Sequence, residues 1–292
     1  MIAFTFPGQG SQHLGMGQDI LEKHPEYEKY FEITSKKLGF DIKEIIFGED
    51  EKNLTLTQNA QAAILLVSYI KYLYTKEKLG YEPDVVAGHS LGEWTALVVA
   101  EVIDFETAIE CVYSRGLFMS EACSPGLGTM AAVLGMEASL IEEILKDFAN
   151  VQIANYNGPM QTVISGDTSE VLLAMEMIKE KGAKKVVQLN VSGPFHSKLI
   201  VSAQENMKIK LENIKFNNPK FPIVQNVSGK YETDPENIKS NLIRQITSPV
   251  RWTEIILEMH KNGINKIVEV GPGKVLSSLN KKIVKNAEHM NI

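Results

Sequence analysis

The segment Gly88-His89-Ser90-Leu91-Gly92 sets a serine between two glycines, each two positions away. It follows the short β-branched run Val85-Val86-Ala87 and leads into a helix-forming stretch, Glu93-Trp94-Thr95-Ala96-Leu97. A strand-to-helix turn this sharp needs small residues on both sides of the serine, and it projects the hydroxyl at a helix N-terminus, where developing negative charge is favoured. Nucleophilic acyl chemistry is the function such an elbow serves. A tight turn with Ser90 as a mere N-cap is the bland alternative.

A serine hydroxyl is a poor nucleophile until a base takes its proton. Six histidines are available: His13, His24, His89, His196, His260 and His289. His24 and His260 fall in polar helical stretches, His289 falls in the tail, and the His89 side chain leaves the elbow in another direction. His196 follows the apolar run Val186 to Val191 through Ser192-Gly193-Pro194-Phe195, which makes it the candidate base. No acid announces itself as a third member. Asp167 and Asp234 sit in turn sequences where Asp is expected anyway. A backbone carbonyl or an amide holding the imidazole would make a Ser-His dyad, since orientation and tautomer are what the third group chiefly supplies. The oxyanion requires two donors. One is the N–H of Leu91; the loop Pro7-Gly8-Gln9-Gly10-Ser11-Gln12, whose glycines let the backbone approach closely, fits the other. A phosphate loop would need the G-x-x-x-x-G-K spacing, which this loop lacks.

Only three of the 30 basic residues are arginine: Arg115, Arg244 and Arg251. Arg115 lies on a helix expected over about 105–121 that turns Phe105, Ile109, Val112 and Phe118 inward. Its guanidinium would either clamp a substrate carboxylate bidentately or form a structural ion pair.

These residues must be positioned by a scaffold, and 292 residues with 44% hydrophobic content can build one without metal or disulfide. Strands at Ile2 to Phe6 and Val85 to Ala87, with an apolar helix over Gln58 to Tyr74 between them, give an α/β core with a mostly parallel sheet. Residues 129–134, 137–147, 151–155, 161–165, 168–181 and 184–191 then read as β-α-β-β-α-β, a ferredoxin-like insertion. The expected division is 1–125 with 192–292 for the large subdomain and 126–191 for the small one. A cleft at their junction is the natural place for a ligand. Strands are also expected at 223–227 and 267–270, and fraying from Lys281 onward.

Two cysteines, Cys111 and Cys123, cannot form a metal cluster and fit a reducing compartment. No metal site is expected. The absence of a basic leader, of a long apolar run and of a basic charge excess (net charge −6) points to a cytoplasmic protein that binds neither membrane nor nucleic acid.

The runs Phe6-Pro7-Gly8-Gln9-Gly10-Ser11-Gln12, Gly88-His89-Ser90-Leu91-Gly92-Glu93, Gly193-Pro194-Phe195-His196-Ser197 and Val270-Gly271-Pro272-Gly273-Lys274 together resemble the malonyl-CoA:acyl carrier protein transacylases of bacterial type II fatty acid synthesis. The resemblance runs from residue 2 to about 285. It implies an α/β-hydrolase-like core with the inserted subdomain, and malonyl transfer from malonyl-CoA to the phosphopantetheine thiol of acyl carrier protein by a ping-pong route. It further implies Ser90 and His196 as catalytic pair, Arg115 as carboxylate clamp, and the backbones of Gln9 and Leu91 as oxyanion donors. Gln245 would position the histidine through its carbonyl, and Asn155 would line the cleft. Phe195 before the histidine matches the malonyl-selective pattern of the related polyketide acyltransferases, whereas Gly193 replaces a bulkier residue of some members. No cofactor is bound permanently in this reading; coenzyme A arrives as the substrate thioester, and the enzyme is a monomer.

A discrete acyltransferase of a polyketide or polyunsaturated fatty acid pathway would share every motif. A serine thioesterase would share the elbow but has no use for Arg115. Lys179, Lys181, Lys184 and Lys185 are either a local attraction for an acidic carrier or a solvated helix end.

Overall fold

The computed structural model describes residues 1–292 and contains ten strands: β1 Ile2–Phe6, β2 Val85–Gly88, β3 Gly128–Leu134, β4 Val151–Gly158, β5 Gln161–Asp167, β6 Lys185–Gln188, β7 Ile223–Val224, β8 Tyr231–Glu232, β9 Lys266–Glu269 and β10 Glu288–Asn291. Six of them form one sheet in the order β10-β9-β1-β2-β7-β8, parallel throughout except where β8 folds back on β7. The period of two decides which side chain faces which layer. Phe4, Phe6, Val86 and Val268 enter a large core with the helix Thr57–Leu79, while Ala3, Val85, Ala87 and Ile267 enter a second core with Trp252, Ile256 and Leu276. Both faces are therefore covered by helices, as an almost wholly parallel sheet requires.

Strands β3 to β6 form a separate antiparallel sheet in the order β4-β5-β3-β6, with the helices Ala138–Leu145 and Thr168–Glu180 packed on it around Ile141, Ile164, Val171 and Ile178. That is the ferredoxin-like arrangement read from the sequence. An isolated parallel bridge ties β4 to Val250, which lies outside both sheets: Tyr156 N–H donates to the Val250 carbonyl (2.9 Å) and Val250 N–H to the Ala154 carbonyl (2.8 Å).

Three expectations need correction. The tail does not fray: the helix Val275–Ile283 is followed by β10, which pairs in parallel with β9 from Glu288↔Lys266 to Asn291↔Glu269. Its polar composition is that of an edge strand paired through backbone rather than packed through side chains. The strand expected over 223–227 stops at Val224, because Gln225 and Asn226 leave the ladder to form a turn. The strand expected over 184–191 is limited to β6, after which Leu189 to Val191 line the cleft. No helix is long and apolar enough to cross a membrane.

Candidate active site

β2 runs into the helix Leu91–Val99 with only His89 and Ser90 between them. Ser90 has φ 51° and ψ −105°, a conformation that persists for a non-glycine residue only where its surroundings over-determine it. A Cβ on Gly88 would stand 1.9 Å from the Gly92 carbonyl group, and one on Gly92 would stand 2.0 Å from the Phe6 carbonyl oxygen. The glycine spacing is thus a steric requirement of the elbow. Asn226 completes it: its Oδ1 accepts from Ser90 N–H (2.7 Å) and its Nδ2 donates to the Gly88 carbonyl (2.6 Å).

His196 stands across the cleft with its Nε2 2.8 Å from Ser90 Oγ. Its Nδ1 faces two carbonyls, Gln245 at 2.8 Å and Ser248 at 3.1 Å. Carbonyls only accept, so Nδ1 carries the proton and Nε2 is left to accept from the serine hydroxyl. No carboxylate holds the imidazole; Asp167 and Asp234 cap the helices Thr168–Glu180 and Pro235–Arg244 instead. The pair is a dyad. Burial, followed by the nearby Arg115 charge, holds His196 down at about 3, against the raising effect of the two carbonyls.

A histidine depressed in the folded state binds fewer protons there than when unfolded, so its contribution to stability is full above about pH 6.5 and is lost as the pH falls through its folded value. The imidazole is expected to remain neutral, protonated at Nδ1, at about pH 5. Ring ¹⁵N shifts check this; a doubly protonated ring at that pH contradicts it.

Arg115 lies on the helix Phe105–Glu121 and is 1% exposed. Its Nη1 donates to Gln61 Oε1 (2.7 Å), and its Nη2 to Gln245 Oε1 (2.8 Å) and Ser90 Oγ (3.0 Å). Every one of these acceptors is neutral, and Nε meets no acceptor at all. The structural ion pair left open by the sequence is absent, whereas Arg251 does pair with Glu254 (2.7 Å). Burial lowers Arg115 to about 10, which leaves it cationic near neutrality.

The cleft between the sheets has a volume of about 360 Å³ and is bordered by Gln9, Ser90, Leu91, Arg115, Asn155, Phe195 and His196. Gln245 lies beneath it, fully buried. The Gln9 amide donates to no group of the chain, and Leu91 opens its helix, so its amide has no intrahelical acceptor. His89 turns away as expected: its Nε2 lies 2.8 Å from Asn157 Oδ1 and its ring packs on Trp252 at 5.5 Å. No three His, Cys, Asp or Glu side chains gather to hold a metal ion. The lysines at 179, 181, 184 and 185 are exposed.

Sequence reasoning missed the floor of the site. Glu93, 1% exposed, accepts from Gln245 Nε2 (2.7 Å), Gln225 Nε2 (3.0 Å) and Asn226 N–H (3.1 Å). It is the one charged residue in the otherwise uncharged run Leu91–Val99, and that was its available signal. Gln225, Asn226 and Gln61 offered none.

The chain matches the family model described as acyl transferase domain over residues 3–292. It is 44% identical to the malonyl CoA-acyl carrier protein transacylase of Bacillus subtilis (strain 168) over 286 residues, 97% of this chain and 90% of that protein. Among solved structures, an acyl carrier protein S-malonyltransferase from Vibrio cholerae superposes with a TM-score of 0.96 at 40% identity, covering 100% of this chain and 96% of that one. A malonyl-transacylase in complex with its holo type II PKS acyl-carrier protein superposes with a TM-score of 0.97 at 39% identity, covering 100% and 95%. Likeness of this depth along the whole length, in sequence and in backbone together, makes the chain a member of the malonyl-CoA:acyl carrier protein transacylase family.

Proposed function

We propose that this protein moves the malonyl group from malonyl-CoA to the phosphopantetheine thiol of an acyl carrier protein through a malonyl ester on Ser90. The observation that carries this reading is the contact of one hydroxyl with two different groups: Ser90 Oγ meets a neutral imidazole at 2.8 Å and an unpaired, buried guanidinium at 3.0 Å. A nucleophile with its base suits any acyl transfer. A guanidinium without a counter-ion, next to that nucleophile, suits an acyl chain that ends in a carboxylate.

In the first half-reaction His196 Nε2 takes the Ser90 proton as Oγ attacks the thioester carbonyl, while the Gln9 and Leu91 amides stabilise the oxyanion. The imidazolium returns its proton to the coenzyme A sulfur as the C–S bond breaks. In the second half-reaction His196 accepts the proton of the carrier's thiol as its sulfur attacks the malonyl ester carbonyl, and returns that proton to Ser90 Oγ as the ester C–O bond breaks. The Gln245 carbonyl keeps the imidazole in its tautomer, and Arg115 holds the malonyl carboxylate. Asn155 and Phe195 shape the acyl pocket. The same reading makes the protein a monomeric cytoplasmic enzyme with no resident cofactor, binding neither nucleic acid nor membrane, divided at 1–125 with 192–292 against 126–191.

Intact-protein mass after brief incubation with malonyl-CoA tests the proposal. A malonyl adduct that disappears on adding a holo carrier protein is expected. Release of coenzyme A with no adduct and no acylated carrier would instead indicate a thioesterase. The likeness to a transacylase bound to a polyketide carrier favours a second source for the acceptor, so carriers of fatty acid and polyketide type are both offered.

A further inference from the structure

Arg115 and His196 share a neighbour. Gln245 accepts from Arg115 Nη2 through its side-chain Oε1 (2.8 Å) and from His196 Nδ1 through its main-chain carbonyl (2.8 Å). Its side-chain amide has two possible orientations, and only one presents oxygen to the guanidinium. What selects that orientation lies on the opposite side: Gln245 Nε2 donates to Glu93 Oε2 (2.7 Å) and to the Ser90 carbonyl (3.0 Å). Glu93 is held in turn by Gln225 Nε2 and Asn226 N–H. The carboxyl group therefore faces three donors and no acceptor, the surroundings that suit its ionised form.

Charge reinforces the geometry. Arg115 touches only neutral oxygens, and the carboxylate whose field reaches it is that of Glu93, one glutamine away. A carboxylate in direct contact would occupy the fork that a substrate needs. At one remove it offsets the cost of a buried cation and leaves the guanidinium unpaired.

We propose that Glu93 is a positioning residue that acts through Gln245 to orient Arg115 and balance its charge, so that it sets the preference for acyl groups ending in a carboxylate. The proposal rests on the malonyl-transfer reading of the same site.

The test compares wild type, Glu93→Gln and Glu93→Asp in steady-state transfer from malonyl-CoA and acetyl-CoA. The readout is the ratio of the two kcat/KM values, in which the shared coenzyme A part cancels. Glu93→Gln is expected to lower that ratio about tenfold or more, mainly through the KM for malonyl-CoA, because an amide in place of the acceptor-only carboxylate no longer selects one orientation of Gln245. Glu93→Asp, which keeps the charge but shortens the reach, is expected to fall between wild type and Glu93→Gln.

Wild type supplies an independent reading through pH. Burial, outweighing its three donors and the Arg115 charge, pushes Glu93 up to about 7. Arg115 on the helix Phe105–Glu121 is the charged group that acts on it; the titratable histidines of the site are His196, linked to it through Gln245, and His89 in the elbow, which turns to Asn157. Arg115 is lowered only to about 10, and both histidines are held below their usual value, so Glu93 is the group that changes charge there. The wild-type ratio should therefore rise with pH through about 7, and that of Glu93→Gln should not. If Glu93→Gln fails to fold, the wild-type profile and Glu93→Asp decide. An unchanged ratio in the folded variants, an equal loss for both donors, or a wild-type ratio flat between about pH 6 and about pH 8 overturns the proposal. A wild type that never prefers malonyl-CoA, or never forms the Ser90 adduct, rejects the function itself and this proposal with it.

Discussion

Ser90→Ala and His196→Ala are each expected to lower kcat for malonyl transfer by about 10⁴- to 10⁶-fold, and the double variant by no more than the worse single one. The two side chains act as one unit. Without Ser90 there is no oxygen to carry the acyl group. Without His196 the oxygen remains but keeps its proton, since its other contact, Arg115 Nη2, is a donor that can stabilise an alkoxide but cannot accept. The residual rate would come from the oxyanion amides and from substrate binding. Rapid-quench measurement of the malonyl-enzyme gives the first half-reaction directly: no adduct is expected for Ser90→Ala and slow accumulation for His196→Ala. An adduct forming at the wild-type rate in either variant would sink the dyad. Neither substitution need harm the fold, because both residues hold positive φ angles (51° and 58°) that strain a side chain in any case.

Arg115→Ala should affect one substrate far more than another. Removing one partner of a buried charge pair costs about 3–5 kcal/mol, so kcat/KM for malonyl-CoA is expected to fall by roughly 10²- to 10⁴-fold. Acetyl-CoA has no carboxylate to lose. Its transfer should fall by no more than about tenfold, the cost of the single hydrogen bond from Nη2 to Ser90 Oγ. Arg115→Lys is expected to recover little, because an ammonium group cannot hold Gln61, Gln245 and a carboxylate in the planar arrangement that the fork provides. Parallel kinetics with the two thioesters checks this. An equal loss for both would mean that Arg115 supports the serine and does not choose the acyl group.

What could be read from the sequence was what a short segment encodes by itself. Gly88 and Gly92 announce the elbow because their spacing is imposed by contacts within the turn and with the end of β1. The helix Phe105–Glu121 and both helices of the small sheet follow from apolar periodicity. His196 could be chosen among six histidines by its place after the apolar run Val186 to Val191. Glu93, Gln225, Asn226 and Gln61 could not, because their roles exist only after five separate segments meet under the cleft. Asn226 has no local mark: it bonds Ser90, 136 residues earlier, from a turn that looked like the continuation of β7. β10 was misread for a related reason. Its partner supplies backbone hydrogen bonds, which leave no hydrophobic pattern in the strand itself.

The order β10-β9-β1-β2-β7-β8 also sets a timetable for biosynthesis. β1 is the first strand to leave the ribosome, yet one of its two neighbours is β9, almost the last. The small sheet, by contrast, is contiguous in sequence and can assemble while the rest is still being made. The nascent large subdomain must therefore wait with an apolar strand edge unpaired, in the long-range pairing regime that folds slowly and invites misassociation. The Gln9 loop at the end of β1 and the Asn226 brace beside β7 are separated by most of the chain. A translation product cut short before β9 would carry Ser90, Arg115 and His196 with β2 between both of its partners, yet leave β1, the strand that ends in the Gln9 loop, paired along one edge only.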